Sequence, residues 1–381
     1  MRIAINAIAS TAGGGRTYLR HLAAWLESRE PDEFELWAPA GADCRNLAGH
    51  IRIRTSRLAE SGFLGRLVWE QIVLPWRLWR EGAQALVCVG NFCPYASPVP
   101  VVLVSANALY FSQPFLADLW RRRHWMWILR HLLKGELVLG SARAADAVIT
   151  PTQAMGDALS RALGAPPRRR YTSWFGHQAR GNQPPPAPLL PRRENELQFV
   201  IVSFYNYFRN FETVFRALAL LGQTTDLKIR LLLTTELKPG LKLGGYDTTR
   251  ACELMHELGI TSQITCLGHV PYADLPGVHA SVDGLIAAGY VESFSFTVVE
   301  GMEAGLPVLA SDIPAHREVG GDAALYFRAL DPADLASQWE RLARDPLLRQ
   351  RLAAAGRERA RLFDWASHFE TVFRIAAEVT A

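Results

Sequence analysis

In the stretch "VESFSFTVVEGMEAGLPVLAS", residues 291–311, Glu292 and Glu300 stand eight positions apart. A turn pattern passes into a helical one here, and Gly305-Leu306-Pro307 ends the helix with a glycine and a proline just beyond it. The spacing predicts a helix over roughly 296–304, with Glu292 in the preceding loop and Glu300 in its first turn or so. The pair could be two grips on one ligand. The alternative is structural: "TVVE" from Thr297 fits a capping box that would occupy Glu300, and Glu292 could be a solvated loop acid. The helix start also offers free N–H groups to an anion, whatever the glutamates do.

Two further stretches could meet a phosphate. In "SFYNYFRNFETVF", Arg209 precedes a helical pattern, where a cation is unfavourable against the macrodipole unless an anion is present. In "TAGGGRTYLRHL", Gly13, Gly14 and Gly15 form either a tight turn or a loop whose amides approach a ligand. No metal site is expected. The five cysteines (Cys44, Cys88, Cys93, Cys252, Cys266) are scattered without CxxC pairing, which fits reduced core thiols and a cytosolic compartment.

The elements that must position these residues read as α/β. At 381 residues the chain suits two domains. Short apolar runs ("RIAINAIA", "ALVCVG", "VVLVSA", "DAVITPT", then "FVIVSF", "IRLLLTT", "ITCLGHV", "GLIAAG", "PVLAS") alternate with helical segments such as "RTYLRHLAAWL" and "FETVFRALALL". That alternation predicts two doubly wound parallel sheets. The expected organisation is a Rossmann-like domain over 1–176, a proline-rich linker over 177–198, a second Rossmann-like domain over 199–360, and a C-terminal helix over 361–381 that crosses back to the first domain. Ligands of such folds bind beyond the carboxyl ends of the strands, and the cleft between two facing domains is the expected site.

The stretch "ESFSFTVVEGMEAGLPVLASD" resembles the E-x7-E signature of the retaining, GT-B-fold glycosyltransferases of family four, and the resemblance extends over nearly the whole chain. "GHVPYADLPGVHASVDGLIAAGYVE" resembles the family's approach to that motif, "ADAVITPTQAMGDAL" its last N-domain strand and helix, and "DPADLASQWERLARDPLLRQRLAAAGRERARLFDW" its C-terminal helices. The resemblance implies that Glu292 binds hydroxyls of a donor sugar and Glu300 the ribose of a nucleotide. The backbone of Ser293, Phe294, Ser295, Phe296 and Thr297 would line sugar and diphosphate. Arg209 stands where the family has a lysine for the diphosphate, and Phe204 where it has an arginine, so Lys238 and Arg16 are candidates for the missing cation. Gly14 and Gly15 match the family's glycine loop. Where a histidine often faces the acceptor this chain has Ser105-Ala106-Asn107, which makes Asn107 the candidate there. His177 falls at the hinge-side strand end. Serine replaces the family's glycine at 293 and 295, which would be costly if those positions needed a positive φ.

The resemblance thus implies sugar transfer, with retained configuration and neither metal nor cofactor, from a nucleotide sugar to a saccharide or lipid-linked saccharide. Bacterial cell-surface polysaccharide or lipopolysaccharide O-antigen synthesis is the expected setting. A nucleotide-sugar epimerase on the same fold and a non-catalytic sugar- or nucleotide-binding protein are the rival readings.

Charge is unevenly placed. Residues 1–180 hold 22 Lys+Arg against 13 Asp+Glu, a net +9, and the remainder hold 19 against 24, a net −5. Six of eleven tryptophans fall in "RLVWEQIVLPWRLWR" and "LWRRRHWMWILRHLLKG". In the second, Trp125, Ile128, Leu129 and Leu132 share a helical face and Arg123, Arg130 and Lys134 lie opposite. Such a helix docks on an anionic membrane surface, or packs into a core with a solvated basic face; both produce this pattern. Neither tract resembles a nucleic-acid module, so no nucleic-acid partner is expected. No run reaches the ~18 apolar residues of a membrane span, and the N-terminus reads as a strand, not a signal peptide. The expected location is the cytoplasm, with the inner face of the cytoplasmic membrane as the surface for any peripheral attachment.

Overall fold

The computed structural model describes residues 1–11, 13–29, 33–42, 51–177, 187–191 and 195–381. Cys44 and most of the 177–198 stretch lie outside them. The chain divides into two compact units, Met1–Gly176 with Asp364–Ala381, and His177–Phe363.

The first unit is built on a seven-stranded sheet: β1 (Arg2–Asn6), β2 (Glu33–Trp37), β3 (Ile51–Arg54), β4 (Ala85–Val89), β5 (Val101–Val104), β6 (Ala147–Thr150) and β7 (Arg170–Thr172). All pairings are parallel, in the order β3-β2-β1-β4-β5-β6-β7. β4, β5 and β6 are buried along their whole length, as strands covered on both faces must be. The switch in strand order falls between β1 and β4, where Ile3 pairs with Ala85.

The C-terminal helix Trp365–Thr380 is part of this unit. Tyr18 packs edge-on against Phe175, Trp365 and Phe369, and Trp25 stacks on Phe373 at 4.8 Å. His368, fully buried, bonds the Ser173 hydroxyl through Nδ1 at 2.9 Å and the Tyr18 hydroxyl through Nε2 at 3.1 Å. At Gly176 a Cβ would lie 2.2 Å from the Trp365 nitrogen, so only glycine admits this approach.

The second unit has a six-stranded parallel sheet: β8 (Leu197–Ile201), β9 (Ile229–Leu233), β12 (Ile264–Cys266), β13 (Gly284–Ala287), β14 (Val308–Ser311) and β15 (Ala324–Phe327). Its order is β12-β9-β8-β13-β14-β15, and a small hairpin, β10 (Lys242–Leu243) with β11 (Tyr246–Asp247), stands apart. Here the switch falls between β8 and β13.

Every expected apolar strand forms. β2, β3, β7, β15 and the hairpin are additions: β3, β7 and β15 are sheet edges, where one side needs no partner and a mixed sequence such as "IRIR" suffices. Leu197 and Gln198, taken as the end of the linker, are instead the first residues of β8. The glycine run is also corrected. It is not a loop before the helix, because helix Gly13–Glu27 begins at Gly13 itself, in a left-handed conformation at φ 51°.

Candidate functional site

At the switch point of the second sheet, the loops leaving β8 and β13 are tied together. After β8 the chain turns through Tyr207–Arg209, capped by Asn206, whose Oδ1 accepts from the Arg209 amide at 3.0 Å. Asn210 follows at φ 60°, a left-handed position that asparagine tolerates better than most residues. Its Nδ2 donates to the Ala288 carbonyl at 3.2 Å, and its Oδ1 accepts from Thr213 at 2.7 Å. The Tyr290 amide donates to the Phe208 carbonyl at 3.0 Å. Beneath, the Ser311 hydroxyl donates to the Gly289 carbonyl.

This stitching brings the Arg209 guanidinium onto the Glu292 carboxylate, Nη1 to Oε1. Glu292 is nearly buried and Arg209 about a quarter exposed. Burial lowers the Arg209 pKa to about 10, so it stays charged at neutral pH. The Phe208 ring lies 5.6 Å below the guanidinium, and Arg209 Nε has no hydrogen-bond partner among the described residues.

Glu300 sits on helix Phe296–Glu303, which leaves the same loop. It is not a capping-box acid: the N-cap is Ser295, which makes no side-chain cap, and Thr297 is already inside the helix. Burial raises the Glu300 pKa to about 7, against a hydrogen bond with Tyr272 that favours the ionised form. Phe294 is buried against Phe296 and Phe363, leaving only its backbone for a ligand. Ser295 sits at φ −88° and Ser293 is not among the residues of positive φ, so neither serine is strained. The helix ends at Gly305, φ 71°.

His316 was not anticipated. It is completely buried, with Nδ1 on Ser311 (2.9 Å to Oγ, 3.0 Å to O) and Nε2 without a partner among the described residues. Burial, reinforced by the charge of Arg209, lowers its pKa to about 4. Tyr272 was missed as well. Nothing in a local pattern marks either residue, because each matters through a partner distant in sequence or packed beneath the loop.

The other candidates stand on other elements, with Gly14, Gly15, Arg16 and Asn107 in the first unit. Gly14 and Gly15 lie in the first turn of their helix, beyond β1, and a Cβ on Gly15 would press on Ser10 at 3.2 Å. Asn107 follows β5, and its Oδ1 is spent on capping the turn Ala108–Phe111, accepting from Leu109 N at 3.0 Å. Its backbone is clamped by Asn91. Phe204 is exposed and stacks on His269 at 5.5 Å. Lys238 pairs with Glu236 on the surface, and Arg16 is exposed on the first helix. His177 is held by the Phe363 carbonyl at 2.9 Å and faces Glu303 at 3.2 Å, as an anchor within the second unit. Among the described residues no three His, Cys, Asp or Glu gather to hold a metal.

Residues 189–359 match the family model described as "Glycosyl transferases group 1". The phosphatidyl-myo-inositol mannosyltransferase of Mycobacterium leprae (strain TN) is 37% identical over 120 residues, 31% of this chain and 32% of that protein. The O-antigen chain mannosyltransferase B of Escherichia coli is 26% identical over 157 residues, 41% of this chain and 39% of that protein. The chain thus spans about a third of the length of these curated relatives. Among solved structures, sucrose-phosphate synthase (tll1590) from Thermosynechococcus elongatus superposes with TM-score 0.76 at 16% identity, covering 98% of each chain. Anabaena Alr3699/HepE in complex with UDP superposes with TM-score 0.70 at 16% identity, covering 99% of this chain and 100% of that one. The two parallel sheets give the chain the GT-B fold of these solved structures, and the segment that matches the group 1 glycosyl transferase model fills most of the second unit.

Proposed function

We propose that this protein moves a sugar from a nucleoside-diphosphate sugar, GDP- or UDP-linked, to a hydroxyl of a saccharide or lipid-linked saccharide, with retained configuration and without a metal. One observation carries the reading. A guanidinium suited to a diphosphate and a carboxylate suited to sugar hydroxyls meet at the switch point of the second sheet, where parallel α/β folds bind ligands.

In this reading Glu300 takes the ribose hydroxyls and Glu292 those of the donor sugar. The backbone from Ser293 to Thr297 and the helix start behind it line the sugar and diphosphate. Arg209 neutralises the charge that grows on the departing diphosphate as the sugar passes through an oxocarbenium-like state. Its fork leaves donors beyond the one held by Glu292. The departing diphosphate takes up the proton of the attacking hydroxyl, so no protein base is required. Gly14, Gly15 and Asn107 are assigned to the phosphate and acceptor side. The cytoplasm is the proposed working compartment. The names of the two mannosyltransferase relatives support a hexose donor and an acceptor on the path to a cell-surface glycan.

The test is a thermal-shift screen with GDP, UDP and ADP, then turnover of the matching sugar donors with and without chelator. Binding followed by transfer to an added saccharide, insensitive to chelator, supports the proposal. Conversion of donor alone to an epimer, or binding without turnover across a broad acceptor panel, would overturn it.

A further inference from the structure

The first unit carries large apolar side chains on its outside. Helix Phe63–Val68, a π-turn Trp69–Val73 and helix Leu74–Glu81 form one continuous helical run. Along it Leu64, Val68, Ile72, Trp76 and Trp79 recur every three or four residues and are 73, 45, 64, 47 and 72% exposed. That spacing puts them on one stripe. The opposite face is buried through Trp69, Leu74 and Leu78. Helix Trp125–Ala144 begins the same way: Trp125, Met126, Leu129 and Leu133 are all more than half exposed, while Ile128 is buried. The sequence allowed a helix whose apolar face packs into the core. Apart from Ile128, that face is outside.

The two helical segments meet. The Lys134 ammonium lies 5.4 Å from the centre of the Phe63 ring. Partial burial, with Arg130 and Arg66 close by, depresses the Lys134 pKa. Residues 57–81 and 113–144 hold ten Lys and Arg against five Asp and Glu. Of those acids, Glu70 is taken by Arg66, Glu81 by Arg77, and Asp118 by Arg121 and Arg122. Among the described residues Arg123, Arg130 and Lys134 have no acidic partner.

On the helix surface Arg130 neighbours the exposed Met126, one turn before it, and Leu133, one turn after it, so apolar groups beside unpaired cations call for a partner that is apolar and anionic together. A second copy of this chain does not meet that need, because a two-fold contact would bring two copies of the same net-basic face together. A bilayer surface does: tryptophan settles at the headgroup level, aliphatic side chains enter the acyl boundary, and basic side chains meet lipid phosphates. Among the described residues no helix is long and apolar enough to cross a membrane, so contact is along the surface.

We propose that the face formed by the 63–81 helical run and the start of helix Trp125–Ala144 docks on an anionic phospholipid bilayer, with Arg123, Arg130 and Lys134 against the lipid phosphates. The inference goes beyond sugar transfer and is independent of it, since Arg209, Glu292 and Glu300 belong to the other unit.

Flotation of the full chain with vesicles tests it, using phosphatidylcholine alone and with about 30% phosphatidylglycerol. The expected result is binding to the anionic vesicles, roughly tenfold weaker on neutral ones and weakened by salt. The double variant Arg130→Glu/Lys134→Glu and the pair Ile72→Ser/Trp79→Ser should each lose roughly tenfold in partitioning. Leu64→Gln, the most exposed position of the stripe, serves as the mildest variant, and unchanged thermal unfolding establishes that each variant is folded. No binding to anionic vesicles, or binding that folded variants retain, would overturn the proposal. So would a dimer in sedimentation that the same variants dissolve. Loss of the GDP or UDP thermal shift in the wild-type chain would count against the transfer reading alone.

Discussion

Arg209 and Glu292, 83 residues apart in the chain, form an ion pair beyond the adjacent strands β8 and β13. Among the described residues neither is paired with another charged side chain, so each holds the other in place. Removing one leaves the other charge largely buried and without that partner.

Glu292→Gln keeps the shape of the side chain and removes its charge. We expect donor turnover to fall by about two orders of magnitude with little change in donor KM, since a sugar contact that strengthens in the transition state acts on kcat. Stability should fall by about 1–3 kcal/mol from the lost pairing. Steady-state kinetics and urea denaturation measure the two effects. Wild-type turnover in this variant would refute the assignment.

Glu300 supplies a pH signature. Its pKa in the folded chain is raised by burial to about 7 from an ordinary value near 4.5. Its stabilising contribution is therefore complete below about pH 4.5 and is lost as pH rises through about 7. Glu300→Gln should flatten that decline, which is of order 1 kcal/mol for a half-buried group. If the ionised carboxylate accepts two ribose hydroxyls, nucleotide affinity should rise with pH through the same interval, with proton release. Calorimetric titration in buffers of different ionisation enthalpy reads this directly.

Two buried histidines work in the opposite sense. Burial pushes His316 down to about 4 and His368 down to about 3. The unfolded chain takes up these protons near pH 6.5 and the folded chain does not, so stability should fall as pH drops from about 6.5 toward 4. His316→Phe and His368→Gln should each reduce the steepness of that loss. Because His368 joins the C-terminal helix to Ser173 and Tyr18, its variant should also lower stability at neutral pH, whereas donor affinity should stay unchanged. Denaturation midpoints across pH 4–8 decide both points.

Asn210 separates backbone from side-chain effects. Asn210→Gly keeps the left-handed turn and loses the bonds to Ala288 and Thr213, at a cost of about 1 kcal/mol. Asn210→Ala loses the bonds and strains the turn as well, for about 2 kcal/mol. Both should reduce turnover by loosening the loop that carries Arg209, the alanine variant more. Equal stability of the two would show that the left-handed turn is not required.

Strong local patterns were legible without a structure. Apolar runs covered on both faces announced β4, β5, β6, β8, β9, β13 and β14, and Gly305 announced the end of the helix carrying Glu300. Edge strands were illegible because a strand with one free side can be short and mixed, as "IRIR" is. The glycine run misled because three glycines describe a loop well, yet the positive φ needed at Gly13 occurs at the first residue of a helix.

By itself the amino-acid order determined two α/β units, a strand-turn-helix holding two glutamates, and a basic group ahead of another helix. Those follow from short-range periodicity, capping and backbone preference. Tertiary structure decided that β8 lies beside β13, and hence that Arg209 meets Glu292, that Glu300 is half-buried beside Tyr272, and that Trp125 and Leu129 face outward. Period 3.6 says only that a helix has two faces; which one is covered depends on what the rest of the fold brings against it.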